Sequence, residues 1–186
     1  VGSEMCIRDR TEPTARAPAV HMWPLPCQET VHVLKAWQDD VPRIVVGTYE
    51  GGLELWRVHG DELCCDASMP GAHAAAITAV GVPRDAYTRE HSPREFVTGG
   101  SDSKLRVWSC DPLRVVQTVD LEGAFPLDVA LVSLPQTDAM VMAVAATDRR
   151  ISLYVRGGGS GAYVRQLRLA GHEDWVRAVS YTHLRA

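Results

Sequence analysis

The chain has 186 residues, 46% hydrophobic and 23% charged, which is the profile of an ordinary globular protein about one domain long. That excludes a collagen-like fibre, a disordered tail and a disulfide-dense mini-domain, and no window reaches the ~20 apolar residues a membrane helix needs. With 19 Lys+Arg against 23 Asp+Glu the net charge is −4, so there is no basic excess of the kind that grips nucleic acid.

In chain order, residues 1–10 (VGSEMCIRDR) carry no helix cap, apolar run or cleavage site, so they are not a signal peptide. They are related to the other end of the chain through their codons. Residues 2–9 encoded as GGC TCG GAG ATG TGT ATA AGA GAC give the reverse complement GTC TCT TAT ACA CAT CTC CGA GCC. That strand translates to VSYTHLRA, which is residues 179–186. Both ends therefore resemble a translated sequencing-library adapter, and 1–10 and 179–186 are expected to be non-native scars around an internal piece of a longer protein. Residues 11–178 alone carry a net charge of −5 and the cysteines Cys27, Cys64, Cys65 and Cys110. These show neither paired metal spacing nor a disulfide framework, and a reduced intracellular protein is expected.

Residues 11–30 read as a divergent linker. After it a repeat begins. Three stretches end on an aromatic: VVGTYEGGLELW at 45–56, VTGGSDSKLRVW at 97–108 and VAATDRRISLY at 144–154. In each an acid stands six positions before the aromatic: Glu50 before Trp56, Asp102 before Trp108, Asp148 before Tyr154. Each copy reads as four short strands of period-2 alternation. In the middle copy the strands are expected near 76–82, from 95, at 104–108 and at 115–119. Residues 99–102 should form a tight turn, and Leu105 and Val107 should face away from Arg106 and Trp108. The polar run 84–94 is expected as a surface loop. Helical periodicity is absent, so the fold class is all-β, and the units fall at 31–70, 71–122 and 123–170. A fourth starts at 171–178.

Strand runs at this period, with Gly-His at one end and an aromatic closing the third strand, match the WD-type β-propeller. Arg57, Ser109 and Val155 stand where that family often has Asp. Three blades and a start cannot close a ring, so the piece alone should be marginally stable. His73, Thr98, Asp102 and Trp108 have the spacing of a hydrogen-bonded tetrad that pins such a blade. A catalytic His/Asp/Thr arrangement is the competing reading, disfavoured because the set lies inside the repeat. In the other copies Val46 and Val144 replace the hydroxyl, and Phe125 falls near the expected histidine.

Glycines at 157–161 lack the Gly-Lys-Ser/Thr of a phosphate loop, so a flexible hairpin between third and fourth strands is expected. Cys64 and Cys65 fall on an edge-like fourth strand. His21, His32, His59 and His91 share no ligand spacing, so neither a metal nor a cofactor is expected. Arg149, Arg150 and Arg156 read as a solvated face, with an RNA or protein contact as the alternative.

The run from the middle copy onward resembles the second-subunit family of the Elongator complex. Residues 97–109, 131–155 and above all LAGHEDWVRAV at 169–179 carry the resemblance. Within the last, Gly171, His172, Glu173, Asp174, Trp175 and Arg177 form a start motif more specific than a generic blade requires. LPQTD at 134–138 is a second distinctive match. The resemblance implies a non-catalytic scaffold of two consecutive seven-bladed propellers, this stretch being early blades of the first. Its implied partners are the large scaffold subunit and the radical-SAM/acetyltransferase subunit. The complex would modify the wobble uridine of tRNA, which the chain would meet only through the complex, in the cytoplasm and also the nucleus, without a membrane. The alternative is a generic WD-repeat adaptor, such as a ubiquitin-ligase substrate receptor.

Overall fold

The computed structural model describes residues 25, 27–38, 41–60, 62–83, 95–134, 137, 139–157 and 161–180. The 84–94 loop, most of the linker, part of the 134–138 corner and nearly all of both expected scars lie outside them.

Among the described residues, twelve strands form three four-stranded antiparallel sheets. The first sheet holds β1 (Val31–Gln38), β2 (Pro42–Thr48), β3 (Leu53–His59) and β4 (Glu62–Met69). The middle sheet holds β5 (Ile77–Gly81), β6 (Glu95–Gly100), β7 (Lys104–Cys110) and β8 (Leu113–Asp120). The third holds β9 (Pro126–Ser133), β10 (Met140–Ala146), β11 (Ile151–Arg156) and β12 (Val164–Leu169). Every sheet is a simple meander in chain order. The first strands of the middle and third sheets come together, where Pro83 and Leu131 make a parallel bridge.

Alternation along β7 shows how one sheet serves two cores. Leu105 and Val107 point to the third sheet and pack with Val129, Leu131, Met142, Val144 and Tyr154. Trp108 points the other way, with Phe96, onto Val45, Leu53 and Leu55 of the first sheet. The Phe96 and Trp108 rings stack with centroids 6.3 Å apart and planes 11° from parallel. Both faces of the middle sheet are therefore buried: on β6 the neighbours Phe96 and Val97 enter opposite cores, while β7 keeps Lys104, Arg106 and Ser109 between its apolar residues. The outer strands β4, β8 and β12 are largely exposed.

Close sheet packing relies on small residues at one repeated register position. A Cβ on Gly47 would lie 2.7 Å from Ile77 of the middle sheet, and one on Gly99 would lie 2.6 Å from Pro126 of the third. Their pairings, Gly47 with Leu53 and Gly99 with Leu105, are matched in the third sheet by Ala145 with Ile151.

The tight turn expected at 99–102 is displaced. Gly99 and Gly100 are still strand, pairing with Leu105 and Lys104, and the reversal is made by Ser101, Asp102 and Ser103. Ser103 takes φ 60°, as do its counterparts Arg149 at 62° and Gly51 at 91°. A glycine pair is a good turn signal in isolation. Here the glycines instead provide space, and two non-glycine residues accept the left-handed backbone. Strand bounds are otherwise close to expectation, with β8 starting two residues earlier.

Candidate functional site

In the middle sheet, His73 precedes β5, Thr98 lies on β6, Asp102 in the β6–β7 turn and Trp108 on β7. The sheet register brings the four together. Trp108 Nε1 donates to Thr98 Oγ1 at 2.8 Å, and His73 Nε2 lies 2.7 Å from the same hydroxyl. His73 Nδ1 lies 2.9 Å from Asp102 Oδ1. One proton order satisfies all four groups. The indole N–H donates to the hydroxyl oxygen, the hydroxyl to Nε2, and Nδ1–H to the carboxylate.

Arg106, one turn away on β7, places Nη1 2.9 Å from Asp102 Oδ2 and 2.6 Å from His73 Nδ1. Nδ1 is already committed as a donor to Asp102, so the guanidinium's hydrogen bond belongs to the carboxylate. The Ala74 and Lys104 amides also donate to Asp102, at 3.2 and 3.3 Å. Burial alone would raise the Asp102 carboxyl; hydrogen bonds from His73 and Arg106 outweigh it and hold the group down at about 2. Burial pushes the His73 imidazole below its ordinary value, against the upward pull of Asp102. His73 is 1% exposed, and Thr98 and Trp108 are wholly buried, so the imidazole–hydroxyl pair is closed off from solvent. Gly100 completes the fit, since a Cβ there would lie 2.3 Å from His73 Nδ1.

The other two sheets place different side chains at these positions. Val46 and Val144 hold the register position of Thr98. In the first sheet Trp56 Nε1 turns to Glu54 Oε2 at 2.9 Å, and Glu50 accepts the Thr30 amide at 3.2 Å. In the third, Asp148 Oδ2 takes Arg168 of β12 at 3.1 Å, and Arg168 and Arg165 both approach Glu122, at 3.8 and 3.4 Å. Phe125 is not at the histidine position. The Thr147 amide bonds the Phe125 carbonyl as the Ser101 amide bonds that of Ala76, so Phe125 matches Ala76, three residues past His73, and Glu122 falls at the histidine position. Phe125 thus lies near that position, three residues beyond it.

In the 171–177 element, Gly171 has φ 145°, and His172, Glu173, Asp174 and Arg177 are exposed. Asp174 Oδ1 accepts the Trp175 amide at 2.7 Å. Val176 is buried while Trp175 stands out to solvent.

No family model matches the sequence. It is 31% identical over 144 residues to Elongator complex protein 2 of Danio rerio, covering 76% of this chain and 17% of that protein. The Homo sapiens protein of the same name is 28% identical over 152 residues, covering 77% of this chain and 18% of its own length. The chain thus spans less than a fifth of these curated relatives. Among solved structures, the RRP9 WD40 repeats superpose with a TM-score of 0.62 at 15% identity, over 81% of this chain and 42% of that one. A chain of the mitotic checkpoint complex superposes with a TM-score of 0.54 at 18% identity, over 73% and 39%. The chain has the fold of WD-repeat β-propeller blades. Its three sheets are WD blades, and similarity to Elongator complex protein 2 covers about three quarters of its length.

Two expectations about other WD-blade residues need correcting or refining. Arg156 is not part of a solvated face: it is buried, paired with Glu95 of the neighbouring blade, and lies 4.9 Å over the Tyr163 ring. Arg149 and Arg150 are exposed as expected. His32 has a role the spacing did not suggest, with Nδ1 2.8 Å from the Ile77 carbonyl of the next blade. Cys65 is exposed on the edge strand β4 and Cys64 half-buried. Among the described residues no cluster of His, Cys, Asp or Glu could hold a metal.

A clasp between the second and third blades escaped sequence reasoning. Gln117 Nε2 donates to the Tyr163 carbonyl at 2.9 Å, and Oε1 accepts the Tyr163 amide at 2.7 Å. The only sequence signal was a polar residue at a register position that faces the core.

Proposed function

We propose that the chain is part of a non-catalytic WD-repeat scaffold subunit of the Elongator complex, supporting wobble-uridine modification of tRNA. The observation that carries this reading is the shared name of its curated relatives, from Danio rerio to Arabidopsis thaliana. The large scaffold subunit and the radical-SAM/acetyltransferase subunit are its proposed partners, in the cytoplasm and nucleus, and tRNA is met through the complex. A net charge of −4 favours protein contact over a tRNA grip of its own, because phosphate binding depends on Lys/Arg neutralisation.

The His73–Thr98–Asp102–Trp108 tetrad has a structural role in this reading. It ties the loop before β5 to the β6–β7 turn and to β7, and its burial supports that role over catalysis. Glu50 and Asp148 fix the corresponding turns of the flanking blades, and residues 171–177 start a fourth blade. Depletion of the full-length protein should lower wobble-uridine modification in bulk tRNA by mass spectrometry, and expression of a His73→Gln variant at matched abundance should restore it. Unchanged wobble uridines after depletion contradict the Elongator role. Failure of His73→Gln to restore them despite normal folding contradicts the structural role of the tetrad.

A further inference from the structure

Most arginines of the three blades have an acid within reach: Arg43 and Arg57 share Asp66, Arg106 has Asp102, Arg156 has Glu95, and Arg165 and Arg168 share Glu122. The turn between β10 and β11 differs. It presents Arg149 and Arg150 side by side and exposed, while the one acid of that turn, Asp148, is taken by Arg168 and by the Arg150 amide.

An exposed aromatic sits on the same turn. Phe125 is 45% exposed, and its backbone is held to Thr147 in both directions, amide to Oγ1 at 3.0 Å and carbonyl to amide at 3.0 Å. The equivalent point of the middle blade is Ala76, opposite Ser101, so the apolar projection belongs to the third blade's own sequence and is not a demand of the fold. The chain leaving β12 starts beside this turn, because Leu169 pairs with Ile151.

Aromatic and arginine side chains are the residue types that carry binding energy at protein interfaces. We infer that this end of the third blade, built on Phe125, Arg149 and Arg150, docks a partner-protein segment that carries carboxylates next to an apolar side chain. Among the described residues these guanidiniums have no acid of their own; they are complementary to carboxylates and can bind them bidentately, and the Phe125 ring supplies the apolar footing. The inference rests on the scaffold reading and names the surface that reading leaves open.

The test is a random 12-residue peptide display selection on the chain, followed by fluorescence anisotropy with the strongest peptide. The selected peptides should carry Asp or Glu beside an apolar residue. The double change Arg149→Glu/Arg150→Glu should weaken binding by about tenfold or more, and Phe125→Ala by a similar factor. Arg149→Gln/Arg150→Gln guards against misfolding by charge reversal, and Arg114→Glu, at the opposite end of the middle blade, should leave binding unchanged. Circular dichroism checks the fold of each variant. Peptides selected without acids, or binding indifferent to all three variants, would overturn the inference. So would a single-stranded RNA oligonucleotide that binds through the same arginines while no peptide does. Co-purification of the full-length Arg149→Glu/Arg150→Glu protein with Elongator subunits separates the two questions, since the scaffold reading survives a failed peptide test if those subunits are still recovered.

Discussion

Gln117 and Tyr163 are joined by a two-way hydrogen bond across a blade boundary, the side-chain amide of one pairing with both backbone groups of the other at 2.9 and 2.7 Å. The pair does for the second and third blades what a backbone ladder does within a sheet. Beneath it Arg156 and Glu95 span the same boundary, and Tyr163 covers the guanidinium. Hydrophobic packing holds the blades face to face without fixing their relative slide; these directional bonds fix it.

Gln117→Ala should therefore destabilise the chain by about 1 kcal/mol, because it takes the partner from a part-buried donor and acceptor. Gln117→Glu keeps the bond from the Tyr163 amide but sets a carboxylate oxygen against the Tyr163 carbonyl, so it should be destabilised as well. Urea denaturation followed by tryptophan fluorescence measures both, and equal stabilities for all three proteins would refute the clasp.

Much of this fold could be read directly from the residues, since the aromatic at the end of each third strand and the acid six positions earlier fix the register of every blade. The tetrad was legible for the same reason: its members lie at repeat-defined positions. The clasp was not, because Gln117 bonds to backbone, which has no residue code. Glu122 was not legible because the loop before β9 sets the histidine position three residues before Phe125 and fills it with an acid. The Gly99–Gly100 pair was misread because a glycine chosen for space looks the same in sequence as one chosen for a turn.

Asp102→Ala should cost about 1–3 kcal/mol through the loss of a buried partner for His73, with His73→Gln in the same range. The pH dependence separates their contributions. His73 is lowered in the folded state, so its contribution is complete above the unfolded value of 6.5 and is lost as pH falls through and below it. Asp102, held at about 2 against 3.8, contributes above 3.8 and loses that contribution as pH falls toward 2. Stability measured from pH 8 to pH 5 should decline in the wild type and decline less in His73→Gln. Parallel curves for the two proteins would remove His73 from the account.

Gly99→Ala tests the blade spacing. Its new methyl would meet Pro126 at 2.6 Å, so the second and third blades must separate, at a cost of about 1–3 kcal/mol. Hydrogen exchange should show faster exchange in β9 and β10 than in β1 and β2. Unchanged melting would mean that the interface yields freely at that point.

The third blade's charge network should behave differently from the tetrad. Arg168 and Glu122 are partly exposed, so Arg168→Ala should cost less than about 1 kcal/mol, and salt should shrink the difference because exposed charges are screened. A salt-independent loss as large as that of Asp102→Ala would show that the network is desolvated and bears the blade's stability.

The most direct test of the central claim is affinity purification of the endogenously tagged full-length protein with quantitative mass spectrometry of what accompanies it. The remaining core Elongator subunits should be recovered in near-stoichiometric amounts, with wild-type protein and with His73→Gln alike once abundance is matched. Recovery of ubiquitin-ligase components in their place, with no Elongator subunit, would leave the propeller standing and contradict its assignment to the complex.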